Sequence, residues 1–363
     1  MPSAELKSVV VLSQGNPPLG RYLAEALNAR GIKATLFCTD QNTWFDKWVI
    51  HTLNKQLHNL RLLPKSKNLL ANHRWAHRNH LNMQFQKLLS QQKFDLILAV
   101  RGINYCHKII SRSPLPKVAW WVEPVKRVNE IKNELSVFNW CYSMNEESLN
   151  VFHQSGFAAC SYMPHMFSKE EFFPIEGLEK SVDLVFVGNW NPRRQRYIDA
   201  AMEVTNSIVL YGKDWLKKNW TKGAYWRAWK GPLIQGQPLN RLYNQAKVVL
   251  NVTQWEPDAD GRASGMNMRF FEVPATKSLF MTDRVVEAES LFQANRDYID
   301  FGDIEDFKKQ LRQILAEPGR RDAVANSGYL AVQRSNASYQ LMVADMIARY
   351  EKQFSASHLE GQE

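Results

Sequence analysis

The stretch Gly265–Asp283, GMNMRFFEVPATKSLFMTD, decides the fold. Its first part, NMRFFEVPA, reads as a short apolar helix that Pro274 and the following Thr and Lys bring to an end. Its second part, SLFMTD, is a short apolar run of strand length closed by an acid. A helix feeding a buried strand across a short joint is one half of a βαβ unit, and it predicts a parallel sheet. One feature breaks the apolar pattern. Glu272 stands alone among Phe, Val and Pro, with Asn267 and Arg269 just before it. A carboxylate set among apolar side chains is costly to bury unless a partner satisfies it.

The same alternation extends in both directions. Upstream, VDLVFVGN is a strand, RRQRYIDAAMEV a helix, SIVLYG a strand, LNRLYNQAK a helix and VVLNVT a strand, with a looser Trp-rich stretch at 215–229. Downstream, YIDFG is a strand, and helical segments follow near 304–315, 320–332 and 337–354. The N-terminal half carries its own series. SVVVLSQG, IKATLFCTD, FDLILAV, KVAWWV, FNWCYSM and ACSYMP read as strands, with LGRYLAEALNARG and EESLNVFHQSG as helices stopped by glycine. The polar segment SKEEFFPIEGLEK separates the two series. The expected architecture is α/β: two Rossmann-like domains with parallel sheets facing across a cleft, and a helical C-terminal tail. The expected bounds are 1–172, a linker at 173–181, and 182–363. Such sheets take ligands beyond the C-terminal ends of their strands. The loop GNPPLG after the first strand is not G-x-G-x-x-G, so no dinucleotide fingerprint is expected there.

Composition bounds the function. A hydrophobic share of 45% and a charged share of 23% over 363 residues are ordinary for globular domains. No apolar run reaches the roughly 18–20 residues needed to cross a bilayer. The opening MPSAELK carries an acid and lacks a basic leader, so no signal peptide is expected and the chain reads as cytoplasmic. Cys38, Cys106, Cys141 and Cys160 fit no zinc spacing and read as reduced thiols. The net charge of +10 is concentrated: residues 51–110 hold ten basic side chains against one acid, Asp95, a balance of +9. A localised excess points to an anionic partner.

Several groups can carry chemistry. In VFVGNWNPRR, Gly188 and Asn189 follow a strand and Pro192 opens a helix. The N–H groups and dipole of a helix start suit phosphate, and Arg193, Arg194 and Arg196 add donors. The alternative is an ordinary first turn with solvent-facing arginines. The helix from about 265–267 is a second phosphate-ready end. Glu272 beyond it suits a ribose diol or, equally, an ion pair with a neighbouring cation. Glu123, at the end of AWWVEP, suits a general base toward an acceptor hydroxyl, or a capped strand end. Asp258 and Asp260 form a D-x-D, a common chance pattern. His73, His77 and His80 share one helical face without a carboxylate, with Arg74 and Arg78 between them, so no metal is expected at either place.

The segments VDLVFVGNWNPRRQRYIDA, LYGKDW, LYNQAKVVLNVTQ, GMNMRFFEVPATKSLFMTD and IEDFKKQLRQILAEPGRRDAVANSGY, in that order, resemble the C-terminal domain of CgeB-like spore-maturation proteins, GT-B glycosyltransferases with a group 1-type domain. The resemblance spans about 182–350 and reaches weakly upstream through AWWVEP and YMPHMFSKEEFFPI. It implies a metal-independent glycosyltransferase with no cofactor, using a nucleoside diphosphate sugar. It implies that Glu272 holds the ribose, that Asn267, Arg269, Arg193 and Arg194 face the diphosphate or donor sugar, and that Lys213 and Trp215 lie near the base or phosphate. Ser264 stands eight residues before Glu272, so the acid pair of the related E-x7-E motif is incomplete and retention versus inversion stays open. The acceptor, a glycan, lipid or protein, falls to the N-terminal half. There Arg61, Lys65, Lys67, Arg74 and Arg78 form a basic face for an anionic acceptor or a membrane surface, with Trp75, Leu81, Met83 and Phe85 as the apolar side of an interfacial helix. Two other readings remain: a nucleic-acid-binding protein using residues 51–110, and a GT-B-fold epimerase or phosphorylase.

Overall fold

The computed structural model describes residues 5–15, 18–101, 107–123, 125–254, 256, 266–335 and 337–359. The chain forms two compact units, Met1–Met163 with the C-terminal helix from Tyr339, and Pro164–Ser338.

In the first unit, six strands, β1 (Ser8–Ser13), β2 (Lys33–Cys38), β3 (Leu96–Val100), β4 (Lys117–Trp121), β5 (Trp140–Ser143) and β6 (Cys160–Tyr162), pair in the order β2-β1-β3-β4-β5-β6. Every pairing is parallel. The central strands β3 and β4 read LILAV and KVAWW, near-continuous apolar runs buried along almost their whole length, as a sheet covered on both faces requires. Leu81 and Phe85 from the helix His77–Gln91 join Val10, Ile97 and Ala99 in the core. The expected interfacial helix is therefore corrected. Leu81 and Phe85 face inward, and only Trp75 and Met83 of that set are exposed.

The second unit repeats the plan with β7 (Val182–Val187), β8 (Ile208–Tyr211), β9 (Trp229–Gly231), β10 (Ala246–Asn251), β11 (Leu279–Asp283) and β12 (Ile299–Phe301), in the order β12-β11-β10-β7-β8-β9, all parallel. Strand β9 begins at the last residue of the Trp-rich stretch and is only three residues long, too short for an alternation to follow.

The final helix, Tyr339–Leu359, belongs to the first unit, whereas the sequence reading kept it with the second half. Its Tyr339 ring lies 5.1 Å from that of Tyr22, and the Tyr142 hydroxyl donates to Asp345 at 2.6 Å. The division at Met163/Pro164 also precedes the expected linker at 173–181, because Phe173 and Ile175 donate their N–H groups to Asn240 and Asn244 of the second unit. Cys38, Cys141 and Cys160 are free thiols, and Cys106 lies outside the described residues. No helix among the described residues is long and apolar enough to cross a membrane.

Candidate functional site

In an open parallel sheet the ligand end is where the strand order reverses. In the second unit that point is β7 beside β10: β8 and β9 extend one way, β11 and β12 the other. Polar side chains collect there.

Asn251 closes β10 and is 1% exposed. Its side-chain oxygen accepts from the Asn267 amide at 3.0 Å and the Arg269 guanidinium at 3.1 Å, and its amide donates to Thr282 at 2.9 Å. Asn267 in turn accepts from the Arg269 backbone N–H at 3.1 Å. Asn251 thus fixes both residues for which the resemblance implies a place toward the diphosphate or donor sugar. It was not anticipated, although the signal was visible: Asn251 and Thr253 are polar positions at the C-terminal end of an apolar strand.

Arg194 donates from Nε to the Val252 carbonyl at 3.0 Å and from Nη1 to the Asn189 carbonyl at 2.9 Å. Burial first, then the neighbouring Arg269 and Arg193, pull its guanidinium down to about 10, while Asp283 acts in the opposite sense. Arg193 is paired with Asp283 and Glu256 and Arg269 acts on Glu272, whereas the hydrogen-bond partners of the Arg194 guanidinium among the described residues are backbone carbonyls, which leaves its charge open to an anion.

Glu272 sits in the helix Arg269–Ala275, which begins two residues later than expected and is only two turns long. Its side chain is 6% exposed, and no hydrogen bond or ion pair to its carboxylate forms among the described residues. Burial pushes the carboxyl up to about 7; Arg269 opposes the shift and Glu171 adds to it. The lone acid of the sequence is thus a buried carboxyl, raised by desolvation, on which an arginine acts.

Other expected ligands have different tasks. Arg193 is buried against Asp283 at 2.8 Å, and its Nη1 also donates to the Thr253 carbonyl and hydroxyl at 3.0 and 3.2 Å. It braces the strand ends of β10 and β11. Arg196 pairs with Glu256 at 2.6 Å. Trp215 is fully buried, stacks on Tyr225 with ring centroids 5.8 Å apart and donates to the Gly188 carbonyl at 2.7 Å. It is a core residue. The Asn189 side chain accepts from the Lys213 backbone N–H at 3.0 Å, so the loops after β7 and β8 are laced together, with the Lys213 side chain exposed. Asn191 caps the helix Pro192–Met202 by accepting from Arg194 N–H at 2.7 Å, which occupies one of the donors that a phosphate would use.

This lacing brings backbones very close. Gly212 has φ +147°, and a Cβ there would fall 1.9 Å from the Gly188 carbonyl oxygen. Gly212→Ala is expected to destabilise the second unit by about 3 kcal/mol or more, read as a lowered denaturation midpoint; an unchanged midpoint would show that the loops separate freely.

In the first unit, Glu123 lies just past β4 and pairs with Arg101 and, at 2.7 Å, with Arg127. Arg101 itself also donates to Gln14. Both carboxylate oxygens of Glu123 are thus engaged by guanidinium groups, and the pairing braces the segments that follow β3 and β4. Arg61, Lys65, Lys67, Arg74 and Arg78 are all exposed. Asp258, Asp260 and Ser264 lie outside the described residues. Among the described residues no cluster of three His, Cys, Asp or Glu could hold a metal ion. His73 instead packs on Phe45 and Trp75, with ring centroids 5.1 and 5.6 Å away.

Comparison with known proteins bears on the fold. Residues 193–348 match the family model described as glycosyl transferase-like. Among curated proteins, none matches the chain in sequence. Among solved structures, sucrose-phosphate synthase from Thermosynechococcus elongatus superposes with a TM-score of 0.69 at 13% identity, covering 96% of this chain and 100% of that one. The Anabaena protein HepE, in complex with UDP and glucose, gives 0.63 at 11% identity over 94% and 100%. A glycosyltransferase from Rickettsia africae gives 0.62 at 10% identity over 96% and 98%. The chain therefore has the two-sheet GT-B fold, and residues 193–348 are similar to a glycosyl transferase-like domain.

Proposed function

We propose that the chain is a metal-independent glycosyltransferase that moves a sugar from a nucleoside diphosphate sugar to an acceptor hydroxyl. The observation that carries this reading is Glu272. A buried carboxyl, raised to about 7 and without a hydrogen-bond partner among the described residues, stands in the family domain at the strand ends where a ligand binds. A ribose diol supplies the missing donors. Arg269 acts on the charge of Glu272, and Arg194 in turn stands near Arg269; the two would meet the charge that develops on the departing diphosphate, a role for preorganised cations. The Anabaena neighbour holds UDP and, in another structure, UDP-glucose, which supports a nucleotide-sugar donor. The ordered motifs shared with CgeB-like proteins support that subtype.

The test is a thermal-shift panel of UDP, GDP and their sugars. A nucleotide present at about 100 times its Kd should stabilise the protein by about 2.7 kcal/mol. Absence of a shift with any nucleoside diphosphate or its sugar would sink the reading. Turnover with the preferred donor is expected to survive excess EDTA; complete loss restored by manganese would return the role to Asp258 and Asp260.

A further inference from the structure

Between β2 and β3 the first unit makes a long excursion. Eight of the sixteen exposed large apolar side chains among the described residues lie in it, between positions 44 and 75: three tryptophans and five leucines. Trp44 is 71% exposed, Leu62 70% and Leu60 67%. Monomeric surfaces seldom concentrate apolar side chains in this way without a partner.

These side chains are held outward by local structure. The turn Asp46–Ile50 runs directly into the helix His51–Asn59. The buried Asn54 ties the returning loop to that helix, donating to the Leu69 carbonyl at 3.1 Å and accepting from its N–H at 2.7 Å. His58 hydrogen-bonds the Lys67 carbonyl at 2.8 Å. At the base, the Thr43 hydroxyl donates to the Trp75 carbonyl at 2.7 Å, and Asp46 accepts from the His77 N–H at 2.8 Å. The backbone is thus satisfied internally while Trp44 and Trp48, one helical turn apart, and the five leucines remain in water.

Charge identifies the partner. Residues 44–78 contain seven Lys and Arg against one acid, Asp46, a balance of +6. Cations sit on the aromatic rings themselves: Arg74 lies 4.8 Å over Trp75 and Lys47 5.3 Å over Trp48. A second copy of the same face would bring +6 against +6. A nucleic acid would use the cations and tryptophans, through phosphate contacts and stacking, but leaves five exposed leucines without a role. An anionic bilayer uses all three residue types. Leucines enter the acyl boundary, tryptophans settle at the headgroup level, and Lys and Arg meet the lipid phosphates.

We propose that the excursion from Trp44 to Arg78 is a docking surface for the interface of an anionic phospholipid bilayer. Its residues belong to the first unit and those of the donor site to the second, so its test and that of the glycosyltransferase reading fail separately. The experiment is co-sedimentation of the full chain with vesicles of phosphatidylcholine alone and of phosphatidylcholine mixed with phosphatidylglycerol. Binding should appear with the mixed vesicles only and fade as salt rises, since screening shortens to about 3 Å at molar ionic strength. Trp44→Ala with Trp48→Ala, and separately Arg74→Glu with Arg78→Glu, should each weaken binding by about tenfold or more, as expected when two headgroup contacts are lost. These side chains are exposed, and an unchanged melting curve for each variant confirms folding. The proposal is overturned by no binding to mixed vesicles, by binding indifferent to both pairs of substitutions, or by tighter, salt-dependent binding to duplex DNA. Concentration-dependent self-association abolished by the tryptophan substitutions would also overturn it, in favour of a homo-oligomer.

Discussion

Glu272→Gln is expected to make the protein more stable and less able to bind its donor. The direction follows from the carboxyl at about 7. Its ordinary value is 4.5, so the folded state binds this proton more tightly than the unfolded chain does. Stability contributed by Glu272 is therefore fully present below 4.5, falls as pH rises, and is lost above about 7. The difference corresponds to about 3 kcal/mol. Glutamine has nearly the same shape and never ionises, so the variant escapes that penalty. At pH 8, without ligand, it should melt roughly 6–12 °C above the wild type, and the two curves should converge near pH 4.5. Nucleotide affinity moves the other way. A hydrogen bond to a charged acceptor contributes about 1.5–3 kcal/mol, so Kd should rise roughly ten- to a hundredfold. In the wild type, affinity should also weaken about tenfold for each pH unit below 7 as the carboxylate is neutralised, and this dependence should vanish in the variant. Calorimetric titrations across that range decide it. Equal nucleotide affinity with a shared pH profile would remove Glu272 from the donor site.

The two α/β series were legible because each core strand is a short apolar run bounded by polar residues or glycine. SVVVLS, LILAV, VDLVFV and LFMTD needed no tertiary information. Strand β9 was missed because Trp229–Gly231 is too short for any periodicity. The destination of the last helix could not be read, since an amphipathic helix does not say which of two sheets it covers. Here the contacts of Tyr339 and Asp345 decide it. At the site, residue types were visible and partners were not. Arg193 and Arg194 are adjacent in sequence, yet the first is engaged by Asp283 and the second by backbone carbonyls. That distinction arises from the strand ends of β10 and β11, remote along the chain. The same holds for Glu123: its two arginines come from the end of β3 and from the turn after β4.

The second large effect is expected at Arg193, and it separates a brace from a phosphate ligand. Arg193 is 4% exposed and its ion pair with Asp283 is buried. Removing one partner of a buried pair leaves an uncompensated charge, which typically costs about 3–5 kcal/mol. Arg193→Met should therefore lower the denaturation midpoint of the second unit severely. Asp283 has further partners: it accepts from the Thr253 N–H and hydroxyl and from the Thr282 hydroxyl. Asp283→Asn keeps one acceptor for those groups while removing the orphaned charge. Arg193→Met combined with Asp283→Asn should then be more stable than Arg193→Met alone, a coupling that a double-mutant cycle measures. Nucleotide affinity, measured at a temperature where the variants stay folded, should change by less than about threefold, well under 1 kcal/mol. An ordinary solvent-facing phosphate ligand would give the opposite pattern, with stability intact and affinity collapsed. In that case the buried pair would have to open on binding, and Arg193 would return to the donor site beside Arg194 and Arg269.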